Sequence, residues 1–273
     1  MLRVFLTLAI VLFLTVLTQV GGIIYLLCLP LFRWIDRRSK TKTIYRVQKT
    51  MLFVLVYLIF SFAIIPKAAR LVGRVPLPVT GDPHLKPLTY ITCILNRHYV
   101  KPALKHSVMV AAENLSRLYP QTVTHYLDAN FPFMNGFPLV PHLSHNDGEK
   151  LDLTFYYLNA SDLSGTNETP SVIGYGVFVD PEKGEVNQPQ VCEEQGYWQY
   201  GFMENLVPQG KKDDFLLDIR RTRTLIYSLG QDDMIRKIFI EPHLKSRMGL
   251  TSSKVRYHGC QAVRHDDHIH IQM

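Results

Sequence analysis

No Cys-x-x-Cys pair occurs in this chain, and only four cysteines are spread along its 273 residues. A closed structural zinc site, which takes four ligands and often cysteines, is therefore poorly supported. Charge is missing from residues 4–32, and missing again from residues 51–66. Acid is scarce throughout the amino-terminal part: residues 1–66 hold eight Lys and Arg against one acid, Asp36, for a balance of +7. Residues 67–273 hold the remaining twenty-two basic and twenty-two acidic residues and carry no net charge. The isoelectric point of about 9.2 thus belongs to the amino-terminal part. Nothing beyond it asks for a polyanionic partner, so no nucleic acid is expected to bind. Internal repeats and low-complexity tracts are also absent.

The two uncharged runs have a physical use. Leu, Ile, Val and Phe dominate residues 4–32, and about twenty apolar residues already span a bilayer core of about 30 Å. A signal peptide would have a shorter apolar region, about 7 to 15 residues. Residues 51–66 are short for a span, but Lys67 and Arg70 are placed to snorkel to the interface. Between the runs, Arg33, Arg37, Arg38, Lys40, Lys42, Arg46 and Lys49 face only Asp36. Such an excess holds a short loop, residues 33–49, on the cytoplasmic side. The expectation is a two-helix transmembrane hairpin over residues 1–71, touching the lipid bilayer through residues 4–32 and 51–66. The amino terminus and everything after Pro66 would then lie outside, making this a multi-pass protein of the cell (inner) membrane whose domain faces the periplasm or exterior. Residues 72–86, rich in Pro, Gly and polar side chains, read as a linker. Residues 87–273 suffice for one domain with its own core.

Within that domain, apolar spacing predicts a helix over 103–118, with His106 on its surface. Residues 127–141, carrying Phe131, Phe133 and Phe137, read as a strand and loop leading into the site, whose aromatics form either core or a substrate wall, with core favoured. Strands are expected at 151–158, 173–179 and 235–240, and a helix at 213–229 with Asp213 and Asp214 in its first turn. Cys93, Cys192 and Cys260 lie outside the first apolar run, where oxidation is permitted. Sequence does not choose their pairing; one disulfide and a free thiol are expected, with Cys192–Cys260 favoured. A catalytic pair of Cys260 with His258 has no orienting context.

Three of the eleven histidines, His265, His268 and His270, crowd the end of the chain. In a strand, His268 and His270 point to one face and Ile269 and Ile271 into a core, with His265 opposite or in the preceding turn. Two imidazoles on one face can share a metal. Upstream, His145 and Asp152 flank a glycine and could complete a set of three. Three protein ligands with a fourth position open is the arrangement of catalytic zinc.

Ser144-His145, six residues, Asp152, and then His268-Ile269-His270 far downstream resemble the LAS family of zinc peptidases. Within it, the penicillin-insensitive murein endopeptidase branch is the nearer likeness, through His142 three residues before His145 and through His265-Asp266-Asp267-His268-Ile269-His270. The resemblance covers roughly residues 127–270. It implies an α+β fold of the LAS/hedgehog type, a small antiparallel sheet with flanking helices. It also implies Zn2+ on His145, Asp152 and His270, catalysis by His268 with His265 near it, and supporting places for His142 and Ser144. The implied activity is hydrolysis of amide bonds in peptidoglycan stem peptides or cross-links. A D-alanyl carboxypeptidase or dipeptidase, or a noncatalytic zinc-bound module that recognises wall or a partner, are the alternatives. Arg264 and Ile269 stand where the branch has a glycine and an aromatic; neither change removes a ligand.

Overall fold

The computed structural model describes residues 1–38 and 41–273, so Lys40 of the expected basic loop lies outside the described residues. Three apolar helices open the chain: α1 (Leu2–Thr18), α2 (Gly21–Arg38) and α3 (Lys42–Ile59). The last runs through a π-helical turn (Phe60–Ile64) into α4 (Ile65–Arg70). The apolar run 4–32 is thus broken rather than continuous. Gln19 takes φ 65°, and its side-chain oxygen accepts the Phe133 amide at 2.8 Å. The Thr18 hydroxyl then accepts the Gly21 amide at 2.8 Å, satisfying the start of the next helix. Among the described residues, one stretch, Lys42–Arg70, is long and apolar enough to cross a membrane, against the two spans of the expected hairpin.

The rest of the chain is α+β. In order it forms β1 (Val75–Pro76), β2 (Leu85–Pro87), α5 (Tyr90–Ile94), β3 (Tyr99–Val100), α6 (Pro102–Leu118), β4 (Thr124–Tyr126), β5 (Lys150–Thr154), β6 (Tyr157–Asn159), β7 (Gly165–Thr166), α7 (Gln188–Glu194), β8 (Phe215–Leu217), α8 (Ile219–Gln231), β9 (Lys237–Phe239), α9 (Pro242–Arg247), β10 (Val255–Arg256) and β11 (His268–Gln272). The main sheet has the order β10-β9-β11-β5-β4-β2. Its middle pairs are antiparallel. Parallel pairs at both edges, β9 with β10 and β2 with β4, make it a mixed sheet, not the purely antiparallel one expected.

Several expected elements change where local chemistry competes with apolar spacing. The helix expected over 213–229 begins only at Ile219, because Asp218 caps it by accepting the Arg221 amide at 3.0 Å. Asp213 and Asp214 sit in a short 3-10 turn, and Phe215–Leu217 pair with β6. The strand expected over 173–179 is a loop, since Gly174 and Gly176 hold φ of 80° and 81°, a region that bends the chain out of a sheet. Residues 151–158 divide between β5 and β6, which belong to different sheets. Residues 72–86 contain β1 and the start of β2, and Leu77 and Leu85 are buried.

The core lies between the main sheet and two helices. Leu104, Val108 and Leu115 of α6 and Leu225, Ile226 and Leu229 of α8 pack with Leu151, Leu153, Ile269 and Ile271. The alternation along β11 therefore works as read: its isoleucines are fully buried in this core while its histidines share the other face. Ile269→Ala is expected to cost about 2–5 kcal/mol, the range for emptying a large aliphatic site in a close-packed core. Urea unfolding should show it as a lower midpoint with little change in slope.

Candidate metal centre

Strand register makes the first pair of the site. His270 on β11 stands directly opposite Asp152 on β5. Cross-strand neighbours share a face with β-carbons about 5 Å apart, and here His270 Nδ1 reaches Asp152 Oδ1 at 2.8 Å. The third member comes from the loop before β5. His145 donates from Nδ1 to the Ala129 carbonyl at 2.8 Å, which turns Nε2 towards the pair. That Nε2 lies 3.1 Å from His270 Nδ1 and 3.3 Å from Asp152 Oδ1.

Three electron-rich atoms thus converge on one point, and all three residues are buried. Ligand atoms around a tetrahedral ion bound at 2.0–2.2 Å stand roughly 3.3–3.6 Å apart. The observed triangle is within about half an ångström of that, so a cation fits with small side-chain adjustments. The charges agree. Burial works against the Asp152 carboxylate, yet His145 and His268 hold it well below the usual range. Burial lowers His270 to about 4, leaving a neutral imidazole with a lone pair to give. His145 is also opposed by burial but is raised by Asp152, so positive charge is favoured at the point of convergence. The His145, Asp152 and His270 group is accordingly able to hold a metal ion.

The remaining predicted residues surround this point. His268 donates from Nδ1 to Asp267 Oδ1, and its Nε2 lies 3.8 Å from Asp152 Oδ1. Asp267 is anchored in turn by the Gly176 amide at 2.6 Å. Burial lowers His268, but Asp267 and Asp152 lift it to about 9. His265 precedes the strand, buried, with its ring 4.9 Å from that of His268. Burial, and then His268 and His270, push it well below its usual value. His142 donates from Nδ1 to Asp128 Oδ2 at 3.1 Å and lies 3.8 Å from Asp152 Oδ2. Ser144 is exposed and takes part through its carbonyl, which accepts the Asn146 amide. Its hydroxyl is not drawn to the metal ligands among the described residues.

Two groups, Tyr175 and Asp128, were not singled out from the sequence. Tyr175 donates from its hydroxyl to Asp152 Oδ2 at 2.8 Å and accepts the Asp128 amide at 3.1 Å. Asp128 is held by Arg97 at 3.2 Å. His258, weighed from sequence only as a partner of Cys260, is exposed, stacks on Phe239 at 4.1 Å and lies 6.1 Å from the His270 ring. An acid inside the apolar stretch Tyr126-Leu127-Asp128-Ala129 is a signal that could have found Asp128, because a buried carboxylate needs partners. Tyr175 has no such mark beyond its flanking glycines. Cys260 is bonded to Cys192, the favoured pairing, so the Cys260 and His258 pair is excluded as a nucleophile with its base.

Tyr175→Phe removes the bond that fixes the far oxygen of Asp152. Metal affinity is expected to fall about 10- to 100-fold, the usual effect of removing a group that orients a ligand. A chelator-competition titration would read it, and unchanged affinity would show that Asp152 is held without the tyrosine. The chain matches no family model and no curated protein.

Proposed function

We propose that this chain is a membrane-anchored zinc metallopeptidase that hydrolyses amide bonds in peptidoglycan stem peptides or their cross-links, with its domain outside the cytoplasm. The observation that carries this reading is a buried group of three ligands, the number a catalytic zinc takes from protein. Among the described residues no fourth acid, imidazole or thiolate joins His145, Asp152 and His270. Glu241, which could have closed the site, is not a member of this group; its Oε1 accepts from the Tyr200 hydroxyl at 2.6 Å and from the His265 amide at 3.1 Å. A zinc ion bound there would supply Lewis acidity to a substrate carbonyl and bring the pKa of its water to about 7.

The chain's own residues supply the rest. His145, Asp152 and His270 form a rigid cradle because each is fixed by a second bond or by strand register. His268 is the proton carrier: Asp267 holds Nδ1–H, so Nε2 is the atom that faces the cradle and exchanges a proton with water or leaving amine. Asp267 orients that ring and balances its charge. Tyr175 keeps Asp152 from turning away by donating to its Oδ2, while His142 is held beside it by Asp128. The order of the motifs along the chain, which resembles the murein endopeptidase branch, supports the substrate class, and the Cys192–Cys260 disulfide suits an oxidising compartment.

The test is zinc content and muropeptide analysis of the full-length chain in detergent, wild type against His145→Ala. One zinc per chain and new muropeptides, both lost in the variant, are expected. Zinc without products would move the reading to a noncatalytic wall-binding module, and no zinc would sink it.

A further inference from the structure

The break in the first apolar run changes how the helices meet a bilayer. Gly22 is pressed against α1: a β-carbon there would lie 2.0 Å from Thr15 Oγ1 and 2.6 Å from the Val11 carbonyl oxygen. In a continuous helix Val11 would be about 16 Å away along the axis. α2 therefore folds back along α1, and the small glycine allows the close approach, as at helix contacts within lipid. At its other end α2 is tied to α3 by Asp36 and Lys49 at 2.6 Å.

The two ends of this bundle differ in chemistry. At the fold-back end, Val20, Ile24, Tyr57, Ile65 and Ala69 form one cluster with Tyr99 of the domain. At the opposite end stand Arg33, Arg37 and Arg38 of α2 and Lys42, Arg46 and Lys49 of α3. Trp34 is there too, with the Arg38 guanidinium 4.3 Å from its ring, an aromatic and basic pairing suited to a membrane interface. Between the ends, Phe5, Leu12 and Phe13 of α1, Ile23 and Leu27 of α2, and Val54 and Leu55 of α3 are exposed. Such a continuous apolar surface needs a cover, and its ends indicate lipid.

The limbs are short. α1 has 17 residues and α2 has 18, giving about 25–27 Å. From Lys42 to Tyr57, α3 covers about 24 Å. A hydrocarbon core is about 30 Å. At Tyr57 the domain begins: the Tyr57 hydroxyl donates to the Ile94 carbonyl at 2.6 Å, and Asn96 Nδ2 donates to Tyr57 and to Ser61 at 2.9 and 3.1 Å. The α5 helix held there turns Tyr90, Ile91 and Ile94 outward, exposed, and Met134 is exposed beside the Gln19 contact.

We infer that α1, α2 and α3 enter the bilayer as a three-limb bundle, with the amino-terminal end of α1 and the basic loop on the same, cytoplasmic side, and that α5 and Met134 bed in the outer interface. This rests on the membrane anchoring proposed above and reverses the side expected for the amino terminus from a two-pass hairpin. It also brings the site to the membrane. Ala129, whose carbonyl holds His145, is four residues from Phe133, held by Gln19, and four residues reach at most about 14 Å.

Full-length chain would be expressed in cells with one epitope before Met1 and another in the exposed loop at Gly184, and intact spheroplasts treated with protease. The Gly184 epitope should be lost and the amino-terminal one kept until the membrane is opened. Loss of both on intact spheroplasts would overturn the three-limb arrangement. Release of the whole chain by a carbonate wash would instead overturn the anchoring itself. Ile91→Cys and Tyr227→Cys, each carrying an environment-sensitive dye, would be compared in vesicles of phosphatidylethanolamine and phosphatidylglycerol with a nitroxide near the headgroups. Stronger quenching at position 91 is expected, and equal quenching would overturn the interfacial place of α5.

Discussion

Asp152→Ala should leave a chain that retains no zinc and cleaves peptidoglycan at about a thousandth of the wild-type rate or less. The size follows from what the carboxylate does. It supplies the one negative charge at the centre of the cradle, 2.8 Å from His270 and 3.3 Å from His145. Losing several kcal/mol of Lewis-acid stabilisation corresponds to about three powers of ten or more in rate. Removing it also strands the Tyr175 hydroxyl, which now donates to Asp152, in a buried position. Some loss of stability, about 1–3 kcal/mol, is expected with the loss of metal. Asp152→Asn separates the two effects, since the amide keeps the volume and an acceptor for Tyr175 but lacks the charge. The amide should restore stability and not metal retention. An Asp152→Asn chain that held zinc as tightly as wild type would show that the two histidines suffice and that Asp152 is not a ligand.

The reasons this centre could be read from sequence lie in local periodicity. A strand repeats every two residues, so His268-Ile269-His270-Ile271 announces both its strand and its two faces, and the structure places the isoleucines in the core and the histidines on the other side. What periodicity cannot announce is the neighbour. That His270 faces Asp152, and not some other acid, depends on the register of β11 against β5, two strands more than a hundred residues apart. An acid and an imidazole close together upstream offered Asp152 with His145, and the resemblance implied the same set, but neither carried the register itself. Where no resemblance helped, side-chain capping won over apolar spacing. Asp213 and Asp214 have the composition of a helix start, but Asp218 is the residue that accepts the Arg221 amide, and the helix begins there. The apolar run 4–32 misled for a related reason. Its length argued for one rod, while Gln19 and the pair Gly21-Gly22 supplied a polar side chain and two small residues where the chain could turn. The turn is fixed by Phe133, which lies far along the chain and leaves no trace in the run itself.

His268→Ala separates holding the metal from using it. His268 Nδ1 is committed to Asp267, and its Nε2 lies 3.8 Å from Asp152 Oδ1, beyond ligand contact but facing the same space. If its task is to exchange a proton, its removal should leave one zinc per chain and lower kcat by about 10²–10⁴, the usual contribution of a positioned general acid or base. KM should change little, because the lost contact belongs to the transition state and not to substrate binding. Asp267→Asn should fall between the two. An amide can no longer balance an imidazolium, and it offers the ring either a donor or an acceptor, so part of the population takes the wrong tautomer. Loss of zinc in His268→Ala would make this residue a ligand. An unchanged rate with zinc in place would remove His268 from the chemistry and pass the proton-carrying role to His265, which is buried with its ring 5.6 Å from that of His270.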